Sequence, residues 1–283
     1  ASDAYKRQAL YHAASATLNE LAKDAKYLGA NIGYICILHT WGSAMNYHPH
    51  IHTIVLGGGL DDENKWKETG GKFFLPYGVI SKVFRGKYLD ELKSLWNDSK
   101  LKFHGTAEKY QNSYRFKELL DKCYEKNWVT YCKETFNGAQ SVINYLGKYT
   151  HRIAISNHRI KSMTDTTVTY VVKDYKNEGC WKEKTISGEE FIRRFMMHVP
   201  PKRFVRIRHY GLLSCRNKRK KITHCRNLLG CKKYISTLKN LNAVEMIRVL
   251  YHIDVCKCSS CGGNMVSPRK DKYSSSFRAH MRC

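Results

Sequence analysis

At 283 residues with 42% apolar side chains, the chain can form one large domain or two smaller ones and is too apolar for a disordered protein. Lysine and arginine number 49 against 24 acidic residues, a net charge of +25 that points to a polyanionic partner, nucleic acid first. There is no signal peptide pattern and no apolar run near the ~20 residues of a membrane span, so a reducing cytoplasm is expected, with the eleven cysteines buried or binding metal. The chain starts at Ala1 without Met, in a segment that already reads as helical, as expected of a piece of a longer protein or a processed chain.

In chain order, residues 4–28 space Leu10, Ala14, Leu18 and Leu21 at helical intervals, with Gly29 as a stop signal. Two β-rich runs follow, "IGYICILHTWG" and "HIHTIVLGG", joined through the polar stretch "SAMNYHP" as a hairpin with a medium loop. "KFFLPYG" reads as a short extended piece. "SKVFRGKYLDELKSLW" is amphipathic, with Val83, Phe84, Tyr88, Leu92 and Trp96 near one face, and "FKELLDKCYEKN" is a further helix. "WVTYCKETF" reads as a strand. Asn137 then caps a helix carrying Val142, Ile143, Leu146 and Tyr149. "TVTYVVKDY" alternates as a strand, and Ser187, three residues before Glu190, opens a helix that Pro200 and Pro201 end. The expected class is α+β, an antiparallel central sheet with helices packed on it. A composition shift near Leu213 separates a domain over 1–213 from a small, basic, cysteine-rich module over 214–283.

The stretch "HTWGSAMNYHPHIH" holds four histidines. On a strand, residues two apart share a face, so His50 and His52 project together, and at hairpin spacing His39 can lie opposite them. Three imidazoles on two adjacent strands can converge on one divalent ion, held by a rigid platform. His48, before Pro49, reads as a loop residue or a support for the ligands. Taken singly, any of these histidines could be an ordinary satisfied side chain.

In "NYLGKYTHR", Tyr145 and Tyr149 share one helix face, with Cβ atoms about 6 Å apart. Spacing alone also fits two core aromatics. Lys148, His151 and Arg152 beside them, with Gly147 offering close approach, suit phenols that meet phosphate. A phenol titrates near 10 and is a weak nucleophile, so a cation polarising the phosphodiester is needed for attack. Two phenols permit two successive transesterifications.

Towards the C-terminus, Cys258 and Cys261 form a CxxC followed by two glycines, the shape of a zinc knuckle. Cys225, Cys231, Cys256 or His224 could complete a Zn²⁺ site, with Cys225 plus Cys231 or Cys256 the preferred sets. Arg203, Arg206, Arg208 and the run from Arg216 to Lys221 are candidates for phosphate contact, and Trp41, Tyr47 and Tyr210 for stacking on unpaired bases.

"YHPHIHTIVLGGGL", "FRGKYLDEL", "YLGKYTHRIAISNHRI", "FVRIRHYGLLS" and "CSSCGGNM" occur in order from about Leu18 to Met265 in a pattern that resembles the two-tyrosine transposases of rolling-circle insertion sequences, in the HUH endonuclease superfamily. The resemblance implies an HUH nuclease fold, ferredoxin-like or RRM-like, and a single-stranded DNA nickase and strand transferase. It implies His50 and His52 as the paired metal histidines, Tyr145 and Tyr149 as nucleophiles, Mg²⁺ or Mn²⁺ as the ion, and a 5′-phosphotyrosine intermediate. His39 as a third ligand is similar to the arrangement in conjugative relaxases. Lys148, His151, Arg152, Arg206 and Arg208 are the expected DNA contacts. Family members usually begin with a cysteine-rich zinc module and a further strand; with the sequence starting in a helix, either a truncated chain or a missing edge strand is expected. The alternatives are a catalytically silent or domesticated DNA-binding relative, a replication initiator or relaxase-type nickase, and a structural zinc module. The partner is single-stranded DNA, no membrane is involved, and the oligomeric state stays open, with a monomer expected.

Overall fold

The computed structural model describes residues 2–70, 75–133, 136, 138–150, 153–174, 177–231, 238 and 240–265. Helix α1 (Ser2–Lys23) leads into the hairpin of β1 (Asn31–Trp41) and β2 (Tyr47–Leu60), followed by the short β3 (Trp66–Glu68). Helices α2 (Tyr77–Asn97), α3 (Ser113–Glu125) and α4 (Ala139–Thr150) come next. Then β4 (Ile160–Met163), β5 (Thr167–Asp174), β6 (Cys180–Ser187), α5 (Gly188–Met196), β7 (Ile207–Gly211), α6 (Lys218–Leu228) and α7 (Ala243–Tyr251) complete the order. The class is α+β, with two antiparallel sheets ordered β3-β2-β1-β7 and β4-β5-β6. The chain divides into two units, Ala1–Ile222 and Thr223–Cys283. Among the described residues no helix is long and apolar enough to cross a membrane.

β1 is apolar almost throughout because both of its faces are covered, unlike a strand with one side in water. Its even-numbered face, Ile32, Tyr34, Cys36 and Leu38, forms the main core with Leu10, Tyr11, Leu18, Leu21 and Ala22 of α1 and Val79, Val83, Phe84 and Tyr88 of α2. Full burial of each Leu or Ile side chain contributes about 1.5–3 kcal/mol. Tyr34, fully buried, stacks on Tyr210 at 5.2 Å and satisfies its hydroxyl on Asn19 Oδ1 at 3.1 Å. Tyr210 is thereby a core aromatic rather than an open stacking surface. The glycine run of β2 lies where the strand runs between β1 and β3: a Cβ at Gly59 would fall 2.6 Å from the Asn31 carbonyl oxygen.

The first β-hairpin loop is shorter than expected. β2 already begins at Tyr47 and includes Pro49. Register slips by one residue between His39 and Trp41, so Pro49 sits at a bulge, where a missing N–H is tolerated. The expected strand over 128–136 is not found in its described part: residues 128–133 pair with no strand. Burial does alternate there, but against the side of α2, where Thr130 Oγ1 donates to the Tyr77 carbonyl at 2.8 Å and Trp128 packs on Phe84 and Tyr88. "KFFLPYG" ends in the first residues of α2, with Pro76 at its N-cap; its residues 72–74 lie outside the described set, as does Asn137. Ser187 does cap α5, accepting the Glu190 N–H.

The second sheet has its own core of Met45, Ala154, Tyr170 and Val172, joined by Trp41, Phe191 and Phe195. In the second unit, Asn242 and Glu245 close a capping box on α7, and the CxxC forms a tight turn in which Cys258 N–H bonds to the Gly263 carbonyl.

Gly211 ends β7 at φ +58, and a Cβ there would lie 1.8 Å from the Ile32 carbonyl oxygen. Gly211→Ala is expected to destabilise the fold by at least about 2 kcal/mol, through both the left-handed backbone and the collision; urea denaturation of parent and variant reads this directly.

Candidate active site

The β1–β2 register pairs His39 with His50 and Ile37 with His52, and strand alternation then turns all three imidazoles to the face away from α1 and α2. One ligand nitrogen from each lies within 4.8 Å of the others. The hairpin that carries them is tied at its tip by the second sheet and α5. Arg159 donates to the Ser43 carbonyl, Arg194 and Tyr170 donate to the Ala44 carbonyl, and Lys173 N–H donates to Ser43 Oγ at 2.6 Å. Buried His198 donates from Nε2 to the Met45 carbonyl at 3.1 Å and so accepts from Thr40 Oγ1 through Nδ1 at 3.1 Å.

Helix α4 brings its phenols to this face. The Tyr145 and Tyr149 rings lie 4.4 Å apart, the Tyr149 ring is 4.2 Å from His52, and Phe136 meets Tyr145 edge-on at 5.3 Å. Trp41, two residues beyond His39 on the same face, stacks on it at 4.3 Å.

Hydrogen bonding settles the tautomers. His39 Nε2 lies 2.7 Å from the Tyr149 carbonyl and His50 Nδ1 lies 2.7 Å from the His48 carbonyl. A carbonyl only accepts, so both nitrogens carry protons, which leaves lone pairs on His39 Nδ1 and His50 Nε2. His52 Nε2, 3.1 Å from His50 Nε2, then donates to it, and His52 Nδ1 accepts from the Tyr145 hydroxyl at 3.1 Å. The chain of protons runs from Tyr145 to His52 to His50 to the backbone. It requires neutral rings, and burial supplies them. Burial holds the His39 imidazole down at about 4 and His52 at about 3, and lowers His50. It also pushes the Tyr145 phenol up to about 12.

The donor set fits a divalent cation. Two of the rings are fixed by a carbonyl on the far nitrogen, and all three are held neutral. Two imidazole nitrogens bound side by side on one ion at ordinary metal–nitrogen lengths stand about 3.0–3.4 Å apart, which the His50–His52 separation already meets.

Residues 33–221 match the family described as "Putative transposase". The chain belongs to this transposase family. It is 39% identical over 236 residues to "Putative transposase y4qJ" of Sinorhizobium fredii, covering 81% of this chain and 59% of that protein. It is 27% identical over 251 residues to the transposase for insertion sequence element IS801 of Pseudomonas savastanoi pv. phaseolicola, covering 88% of this chain and 59% of that one. The chain thus spans about three-fifths of the length of these relatives. No solved structure matches it.

The other residues singled out in this transposase-family sequence scatter more widely. Lys148 lies on α4, but its side chain, with His151 and Arg152, is outside the described residues. Among the described residues a Cβ at Gly147 would meet nothing within 4 Å. Arg206 donates to the Thr150 carbonyl at the C-terminal end of α4, where a cation complements the helix dipole, and its guanidinium lies 5.7 Å from the Trp41 ring. Arg208 pairs with Cys36 and therefore stands on the opposite sheet face, over the Tyr11 ring at 4.0 Å and bonded to Gln8. Tyr47 bonds through its hydroxyl to Asp3. Cys225 is buried, Cys231, Cys256 and Cys261 are exposed, Cys258 is intermediate, and among the described residues these cysteines form no three-ligand cluster. Sequence reasoning missed the Trp41 stack on His39, although the alternation that aligned His50 with His52 also aligns Trp41 with His39. His198 and Arg159 left no signal of their role at the hairpin, because the carbonyls they hold there, of Met45 and Ser43, lie more than a hundred residues away.

The depressed imidazoles set a pH dependence. Unfolded histidines titrate near 6.5, and the folded His39 and His52 near 4 and 3, so between these values the unfolded chain binds more protons. Stability is therefore full above about pH 6.5 and falls as pH drops towards 4. Urea midpoints taken in chelator at pH 7.5 and 5 are expected to show this loss, and to show less of it in His39→Gln/His52→Gln.

Proposed function

We propose that this chain nicks and rejoins single-stranded DNA at the ends of an insertion sequence, with Tyr145 or Tyr149 as the attacking group and His39, His50 and His52 as ligands of a divalent cation. The observation that carries the reading is the meeting of the two groups: a strand-borne imidazole cluster that touches both helix-borne phenols, with His52 Nδ1 3.1 Å from the Tyr145 oxygen. A structural histidine cluster has no need of two tyrosines at its edge, and two core tyrosines have no need of three neutral imidazoles. Family membership and the similarity to the IS801 transposase support action on the DNA of an insertion sequence.

The ion, Mg²⁺ or Mn²⁺, supplies Lewis-acid stabilisation to the scissile phosphate. Imidazole donors favour Mn²⁺ over Mg²⁺. A cation held by His52 Nε2 and His50 Nε2 would leave the His52 proton on Nδ1. The ring would then donate to the Tyr145 oxygen, where in the resting chain it accepts. A phenol oxygen that accepts this bond would be favoured in its attacking form, against the burial that otherwise keeps it protonated. Attack forms a bond from the tyrosine oxygen to phosphorus and breaks the bond to the 3′-oxygen; the phenol proton ends on the new 3′-hydroxyl. The phosphotyrosine stores the energy for rejoining, so no nucleotide is consumed. The second phenol, on the same helix face, can accept a strand while the first is occupied.

Further along the chain, the Cys258 thiol is held low by the Cys261 and Ser260 N–H groups, as suits a thiolate donor, and the CxxC turn offers two ligands to Zn²⁺.

Incubation with labelled single-stranded DNA carrying an element end, in Mn²⁺, is expected to yield a covalent protein–DNA adduct on a denaturing gel. Tyr145→Phe/Tyr149→Phe and His50→Ala/His52→Ala should each reduce it at least a hundredfold, roughly the span of losing a nucleophile or its activating group. An adduct that persists in the double tyrosine variant removes the assignment of nucleophile.

A further inference from the structure

We infer that the exposed rings of Tyr77 and Tyr131 form a base-stacking path for unpaired DNA that leads to Tyr145. The inference rests on the single-strand chemistry proposed above and adds to it the surface that the strand follows.

Residues 128–133 lie along α2 without a strand partner. Trp128 and Thr130 face the helix. The Trp128 ring sits 5.8 Å from Phe84 and 5.7 Å from Tyr88, its carbonyl accepts from Ser81 Oγ, and Thr130 Oγ1 bonds to the Tyr77 carbonyl. The alternation then turns Val129, Tyr131 and Lys133 to solvent, with Tyr131 81% exposed. The Thr130 bond joins the segment to the first residue of α2, where Tyr77 is 69% exposed. Three residues past Lys133, the Phe136 ring meets Tyr145. Tyr131 and Phe136 are five residues apart in sequence, at most about 18 Å of extended chain, so the open ring at 131 stands within reach of the proposed nucleophile.

Charge names the occupant. Lys82, Lys126 and Lys133 are exposed along this route, and Arg85 is fixed between the Tyr124 ring at 4.4 Å and the Lys126 carbonyl at 2.9 Å. Open rings on a segment that also exposes cations suit a polyanion with flat, unpaired bases. Every base has a π-face, so such a path accepts any sequence, while cations track the backbone. An apolar protein surface would meet the same rings without using the flanking lysines.

The test is fluorescence anisotropy of labelled oligothymidine, which forms no hairpins, with the full 283-residue chain. Tyr131→Ala and Tyr77→Ala should each weaken binding by about fivefold or more, the range for loss of one stacked base. Tyr131→Leu, which keeps apolar bulk but no ring, should lose as much, and Tyr131→Phe should bind like the parent. Duplex DNA affinity should stay unchanged in all of them. Both side chains face solvent, so thermal midpoints should match the parent and confirm folding. The path is wrong if Tyr77→Ala/Tyr131→Ala binds oligothymidine as tightly as the parent, or if its mass by light scattering changes at unchanged DNA affinity, which would make the rings a protein contact. The adduct assay on the same preparations separates the two readings. Adduct formation with unmoved affinity leaves the nickase and removes the path; lost affinity without any adduct in the parent leaves the path and removes the nickase.

Discussion

The pairing of His39 with His50 across the first hairpin is the constraint on which the rest of the site depends. A slip of one residue would turn His50 and His52 into the α1–α2 core and break the cluster. Three features hold the register. The even face of β1 is loaded with Ile32, Tyr34, Cys36 and Leu38, which have no other place to be buried. The tip of the hairpin is hydrogen-bonded carbonyl by carbonyl to the second sheet and α5. The bulge at Pro49 takes up the extra residue just before the histidines.

Burial works for the site as well as for the fold. Desolvation removes the charge from imidazoles that would otherwise be partly protonated near neutral pH, so lone pairs are available for a cation. The same desolvation keeps the Tyr145 phenol protonated at rest. The site therefore combines neutral imidazoles with a protonated phenol. The hydrogen bond between His52 and Tyr145 links the two states, because the proton on His52 can sit on only one of its nitrogens.

The second sheet acts on the site from a distance. Arg159, Arg194 and His198 touch neither the phenols nor the three clustered imidazoles in any contact described above, yet they hold the turn that sets where those imidazoles stand. Arg206 similarly holds the end of α4 and lies by the ring of Trp41, which backs His39. Basic residues in this protein thus divide between structural work on carbonyls and rings and open surface work suited to phosphate. Arg208, packed on Tyr11, belongs to the first kind.

Much of the site was legible in the sequence because its signals are local. Period two aligned His50 with His52, period four aligned Tyr145 with Tyr149, and the long helices α1, α2 and α4 with strands β1, β2 and β5 announced themselves by their own apolar spacing. The short strands β3, β4, β6 and β7 did not, since their formation depends on partners elsewhere in the chain. Helix α6 was hidden by its basic composition, whereas α7, with Asn242 three residues before Glu245 ahead of an apolar run, carried a capping signal that went unread. At 128–133 the alternation was real, but it reflected packing on a helix, and a periodic burial pattern does not reveal what does the burying. Which side of the sheet a residue occupies, which helix covers that side, and which arginine is spent on a carbonyl are decided by contacts between residues tens to hundreds apart. Sequence alone determined the kinds of group and their local spacing; tertiary packing decided that imidazoles and phenols meet, because only a closed core brings a strand face and a distant helix within hydrogen-bond reach.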